Sequence, residues 1–366
     1  MREQKNLFLA IGLSVAIIVV FQLLFPQQTA MAPPENKKTE ELQTTTSFDD
    51  NEIDTNRIVK TKEEVISSDN RILINTPSLQ GSINLKGAVL DDLILLNYNE
   101  TLDENSKNIT LFYPDGTANP YFIEFEWKSK NKIDTELPDK DTQWQSTNSE
   151  LTPEKPITLH WTNNDNITFK IYFEVDENYM FNVSQEVENN SNKALNIFPR
   201  RTIKRIHIPD TINFFILHEG LVSNINEKLY EKKYKKLLNE CSDNNVKIID
   251  NKKVIVKEPY CEQSSLYGWL GFTDKYWMSA LIPSQSEKFN IDFKHYNLGR
   301  DIFVVRYIGD ESTIINPNTN YVFSGKIFAG AKILKILKQY QHEYNIIRFD
   351  DSIDWGWFSF LTKPIF

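Results

Sequence analysis

The chain has 366 residues, a formal net charge of −9, and 25% charged and 12% aromatic side chains. That length can bury one large core or two ordinary ones. The acidic balance argues against nucleic-acid binding, which needs a basic surface to displace counterions from phosphate, and against a strongly basic lipid-binding surface.

The first element is apolar. Arg2 and Lys5 precede an almost unbroken hydrophobic run, Leu7–Phe25, and no further base occurs until Lys37. About 20 such residues span a hydrocarbon core. The run therefore reads as a transmembrane anchor built from Leu7, Phe8, Ile11, Val15, Ile18, Val19, Phe21, Leu24 and Phe25. The flanking bases place residues 1–6 in the cytoplasm. Ala30-Met31-Ala32 offers a signal-peptide cleavage site, but the run exceeds the usual length of a signal's apolar region.

Residues 26–69 carry Pro26, Pro33, Pro34, three consecutive threonines and few aliphatics. They read as a flexible polar tether, because such a stretch cannot bury enough apolar area to offset chain entropy.

From residue 70 to about 330 the texture is that of strands. Ile72 and Ile74, Ile83 and Leu85, and Phe169, Ile171, Phe173 and Val175 alternate with polar residues. A period of two marks a half-buried strand. Asp176-Glu177-Asn178 reads as a turn into Phe181, Val183 and Val187, and Val246–Ile249 with Val254–Val256 as a hairpin. The unbroken Ile302–Val305 fits a strand covered on both faces. No alternation of strands with helices appears. The fold class is mainly β, a large antiparallel sandwich with short C-terminal helices.

Two helices are expected. Ile225, Leu229, Tyr234, Leu237, Leu238 and Cys241 lie at helical spacing, with Asn224 and Glu227 as a capping pair, although a strand through Tyr230–Leu238 fits as well. In the second, Ala331–Tyr344, the residues Ile333, Leu334, Ile336, Leu337 and Tyr340 form a stripe that packs on the sheet. Residues 331–348 would couple the sandwich to the membrane. Residues 349–366 then supply Trp355, Trp357, Phe358, Phe360 and Lys363, the side chains of a membrane interface before a second membrane helix.

The only cysteines, Cys241 and Cys261, flank the expected hairpin. They are a candidate disulfide in an oxidising compartment, or two unrelated thiols. No zinc-type spacing, nucleophile elbow, phosphate loop or dinucleotide fingerprint occurs. The pairs Asp91-Asp92 and Asp350-Asp351 read as turn and cap residues. The reading is of a non-enzymatic protein without catalytic residues, cofactor or metal.

Several stretches resemble the N-terminal portion of the YidC membrane-protein insertases of Gram-negative bacteria. They are Met1-Arg2-Glu3-Gln4-Lys5-Asn6-Leu7, Asn84–Tyr98 around Leu85-Lys86-Gly87-Ala88-Val89, and Leu217-His218-Glu219-Gly220. More specific are Gly268-Trp269-Leu270-Gly271-Phe272-Thr273-Asp274-Lys275-Tyr276-Trp277 through Pro283, and Ile353-Asp354-Trp355-Gly356-Trp357-Phe358 with Leu361-Thr362-Lys363-Pro364. The resemblance implies a periplasmic β-super-sandwich, mutarotase-like in shape, moored in the bacterial inner membrane. It implies a chaperone role in inserting and folding nascent inner-membrane proteins, alone or with the Sec translocon and its accessory subunits. It also implies that the insertase's membrane bundle, with its polar groove, lies beyond the portion matched here. The competing expectation is a membrane-tethered carbohydrate-binding or mutarotase-like sandwich. That expectation requires His207, His218 and a carboxylate to converge in an open cleft.

Overall fold

Along Ile167–Val175 every second side chain is buried: Ile167, Phe169, Ile171, Phe173 and Val175. Thr168, Lys170 and Tyr172 stand half-exposed on the other side. A strand of that pattern needs one dry face and one wet face, which a sandwich supplies. The computed structural model describes residues 59–356, apart from residues 104, 210–216, 243–245, 250–251 and 256–257. The anchor Leu7–Phe25, most of the tether, and Trp357, Phe358, Phe360 and Lys363 lie outside the described residues. Among the described residues no helix is long and apolar enough to cross a membrane.

Two large sheets face each other. The ten-stranded sheet runs from Glu262–Ser265 at one edge through Phe289–Asn297, Asp301–Ile308, Phe198–Ile206, Tyr121–Lys128, Val89–Asn99, Leu79–Asn84 and Arg71–Asn75 to Glu150–Leu151. Asn108–Phe112 pairs beside Val89–Asn99. The nine-stranded sheet runs from Lys228–Lys233 through Gly220–Ile225, Gly268–Thr273, Trp277–Pro283, Thr319–Ala331, Met180–Asn189, Ile167–Val175 and Ile157–Thr162 to Gln145–Ser146. Neighbours are antiparallel, except that Arg71–Asn75 runs parallel to Glu150–Leu151. One hydrophobic core fills the space between the sheets, and Phe125 meets Phe173 edge to face across it. Ile302–Val305 is covered on both sides: Phe303 and Val305 join the main core, while Ile302 and Val304 form a small cluster with Phe122 and Ile206.

Local structure departs from the sequence expectation in four places. The helix expected from Ile225 onward is confined to Tyr234–Glu240. Ile225 ends one strand and Leu229 belongs to the next, joined by Asn226 and Glu227, both at positive φ (52° and 64°). Two left-handed residues make the tight turn whose twist matches a hairpin, so the segment pairs as strands before it coils. Asn224 therefore caps nothing and is fully buried in its strand. The second expected helix starts later, at Leu334, because Ala331 still pairs with Trp277.

The third departure is at the end of the tether. Thr61 and Glu64 form a reciprocal capping box that starts the helix Lys62–Ile66. The fourth is Asp91-Asp92, which lies inside a strand and not at a turn. Asp91 is ion-paired with Arg71, and Asp92 with Lys62 at 2.6 Å. Buried carboxylates persist in a strand when such partners are supplied.

The hairpin Val246–Ile249 and Lys252–Ile255 forms a separate two-stranded sheet. Cys241, at the end of the helix Tyr234–Glu240, is disulfide-bonded to Cys261, with Cα atoms 5.5 Å apart. A loop of this size, with a sequence separation of 20 residues, gains about 3 kcal/mol on the chain-entropy account.

Candidate membrane-coupling site

The strand Thr319–Ala331 hands directly to the C-terminal helix. Lys332 N–H bonds to the Tyr276 carbonyl at 2.9 Å, and Ile333 is the N-cap of Leu334–Glu343. The helix runs back along the strand before it, since the Lys326 ammonium lies 3.9 Å over the Tyr344 ring. Of the predicted stripe, Leu337 and Tyr340 are buried, while Ile333, Leu334 and Ile336 are half-buried.

Tyr340 is the fastening point. Its hydroxyl donates to the Asp176 carboxylate and accepts the Tyr179 N–H at 3.2 Å. Burial pushes the phenol's pKa up, and the hydrogen bond and charge of Asp176 add to this. The turn residue Asp176 thus has a second role that its local sequence did not signal.

Beyond the helix, Arg348 adopts the left-handed conformation (φ 49°) and reverses the chain into the 3-10 turn Phe349–Ser352. Its guanidinium pairs with Asp351 at 2.5 Å. Phe349 is fully buried between Trp269 and Phe328, with ring centroids 5.4 and 5.5 Å away and both contacts edge to face. Gly271, Ala280 and Phe328 are successive register partners across three strands. The Trp269 indole donates to the Ile347 carbonyl at 3.0 Å.

The last described residues are also held. Asp354 accepts the His218 N–H at 2.8 Å and the Gly356 N–H at 2.9 Å. Trp355, expected at a lipid interface, is half-buried against its own chain, its indole donating to the Asp350 carbonyl at 3.1 Å.

A polar network lies under this strap. Lys332 Nζ donates to Thr273 Oγ1 at 2.8 Å. Burial pushes the ammonium down to about 8, against the pull of Asp274, Asp354, Glu231 and Glu219. Arg205, from the ten-stranded sheet, bonds Asp274 at 2.8 Å and the Tyr234 hydroxyl at 3.0 Å, and stacks 4.5 Å from the Tyr121 ring. This ion pair bolts the two sheets together at the end where the chain leaves.

The two histidines make separate contacts. The His218 ring is spent on the Leu221 carbonyl at 2.7 Å, and burial lowers its pKa to about 4. His207 is half-buried at the end of the other sheet, at φ 68°, its N–H on the Asp301 carbonyl. Among the described residues no hydrogen bond or ion pair joins the two, and no group of three or more His, Cys, Asp or Glu side chains is placed to hold a metal ion.

Residues 71–366 match the family model of the YidC periplasmic domain. The membrane protein insertase YidC of Granulibacter bethesdensis is 34% identical over 371 residues, covering 100% of this chain and 61% of that protein. Its counterpart in Rickettsia conorii is 36% identical over 370 residues, covering 99% and 61%. That of Methylorubrum extorquens is 37% identical over 306 residues, covering 83% and 48%. The chain thus spans between about half and three-fifths of the length of the curated relatives it matches. Among solved structures, a galactose mutarotase related enzyme from Lactobacillus acidophilus overlaps 71% of this chain and 97% of its own, at a TM-score of 0.43 and 8% identity.

Proposed function

This chain belongs to the YidC periplasmic-domain family, and on that premise we propose that it serves membrane protein insertion as a moored outer module. Leu7–Phe25 crosses the inner membrane with residues 1–6 in the cytoplasm. The tether gives reach, and the sandwich stands in the periplasm. Its partners are nascent inner-membrane proteins, the Sec translocon with its accessory subunits, and the bilayer. It assists folding and assembly by docking and spacing, and catalyses no reaction. The insertion step itself must offset the cost of carrying polar groups into hydrocarbon. Among the described residues no helix is long and apolar enough to cross a membrane, and we assign that step to a membrane-embedded partner or region.

The observation that carries this reading is the fastening of residues 333–356 to the nine-stranded sheet through Tyr340, Phe349 and Asp354. A sandwich needed only as a passive spacer would not require its exit to be clamped. A clamped exit transmits the position of the sandwich to Trp357, Phe358, Phe360 and Lys363, which we assign to the outer interface. The Cys241–Cys261 disulfide suits an oxidising compartment.

Two measurements test the reading. In cells depleted of their insertase, a full-length relative should restore growth and this chain alone should not. Rescue by this chain would move the insertion work into the sandwich. The chain should also stay with membranes through an alkaline wash, and release into the supernatant would remove the anchor.

A further inference from the structure

The sheet registers gather several chain reversals at one end of the sandwich. Ala331, the last residue of its strand, faces Trp277, so the turn Asp274–Tyr276 lies at that end. Met180 faces Phe328, which brings the turn at residues 176–179 to the same end. The Tyr98 ring meets Trp277 edge to face at 4.8 Å, so the loop after Val89–Asn99 sits beside them. Gly220 faces Thr273, and Asp354 is bonded to neighbouring His218, which puts Gly356 there too.

Two loop tips at this end carry exposed apolar side chains outside the core cluster, although Tyr276 leans edge to face on Trp277. Leu102 is fully exposed and Tyr276 is 56% exposed. The Lys275 ammonium lies 4.6 Å over the Tyr276 ring. An aromatic ring with a lysine at its face has one apolar side and one wet side, the chemistry of the headgroup layer. Residues 357–366, Trp-Phe-Ser-Phe-Leu-Thr-Lys-Pro-Ile-Phe, come directly after Gly356. At the far end Ile314 is 60% exposed, in the connection that precedes Thr319.

We infer that this end of the sandwich rests on the periplasmic face of the bilayer, with Leu102 and Tyr276 entering the headgroup layer beside the exit at Gly356. The inference deepens the moored reading and rests on it. Because residues 344–356 are clamped to the sheet, the two tips and the exit keep fixed spacing and present a defined footing. Glu100 and Asp103 flank Leu102, so the contact is apolar and does not depend on anionic lipid.

The test uses the full 366-residue chain. Leu102→Cys, Tyr276→Cys and Ile314→Cys are each labelled with an environment-sensitive fluorophore. The native cysteines are paired, so the label goes to the introduced thiol. Each variant is reconstituted in phosphatidylcholine vesicles carrying a shallow nitroxide lipid. The labels at 102 and 276 should shift to the blue and be quenched roughly twofold more than the label at 314, as expected for groups at the headgroup boundary. If the chain sediments with vesicles but neither tip responds, the footing is wrong and the mooring stands. Equal quenching at 314 overturns the end-on placement. If the chain stays in the supernatant, the mooring fails and this inference fails with it.

Discussion

One half of the nine-stranded sheet is covered on its outer side and the other half is bare, and the two halves are written differently. Under the C-terminal helix and strap, Gly268–Thr273 and Trp277–Pro283 are apolar almost without interruption and nearly every residue is buried. On the bare side, Ile167–Val175 alternates, and Lys170, Tyr172 and Glu174 face outward. Pairing and strand direction are the same in both halves. The difference shows that an unbroken apolar strand in an antiparallel sheet reports a second layer, and here that layer is the chain's own exit.

Breaking the covered half should have the largest effect. Trp269→Ala removes the ring against Phe349 and the indole's bond to Ile347. It should cost about 3–5 kcal/mol, read as a fall in the denaturation midpoint, because a large cavity would open in a packed layer. Acid should act on the same strap. The pKa of His218 is about 4 in the fold against an ordinary 6.5. Between those values the unfolded chain holds more protons, so the full contribution is present above pH 6.5 and is lost as pH falls towards 4. The gap corresponds to roughly 3 kcal/mol. Comparing His218→Asn with the parent at pH 7.5 and 4.5 should show a smaller acid loss in the variant, and equal losses would break the assignment.

A finer cut is Tyr340→Phe, which leaves Asp176 without its phenol donor. It should cost about 1–2 kcal/mol and speed hydrogen exchange in the strap before the sandwich itself. The smallest effect belongs to the bare half. Val322→Ala, at a position 46% exposed, should change stability by less than about 0.5 kcal/mol. A large loss there would erase the distinction between the halves.

Much of the sandwich was legible in the chain, since Phe169 through Val175 can alternate for only one reason. The hairpin at Val246–Ile249 and the stripe of Leu337 and Tyr340 were legible for similar local causes. The turn at Asn226-Glu227 was not, because its neighbours carry helical spacing and only the backbone conformation reveals the reversal. The fastening was legible in part. The covering layer was legible only as far as the stripe of Leu337 and Tyr340, because residues 349–366 read as a membrane interface, whereas Phe349 packs on Trp269 and Phe328, a meeting that depends on sheet order. Asp176 and Asp354 gave no local signal, since a carboxylate in a turn reads the same whether or not a distant donor arrives.

The strand order carries a consequence for biogenesis. Thr319–Ala331 comes last of the described strands, yet it lies between Trp277–Pro283 and Met180–Asn189. Until it is delivered, the sheet consists of two separate pieces with long unpaired borders, which attract foreign strands. Closure must await the final portion of the domain, and such distant pairing is slow. The nascent domain would thus stay open until that strand arrives, most in need of chaperoning just before the sheet is joined.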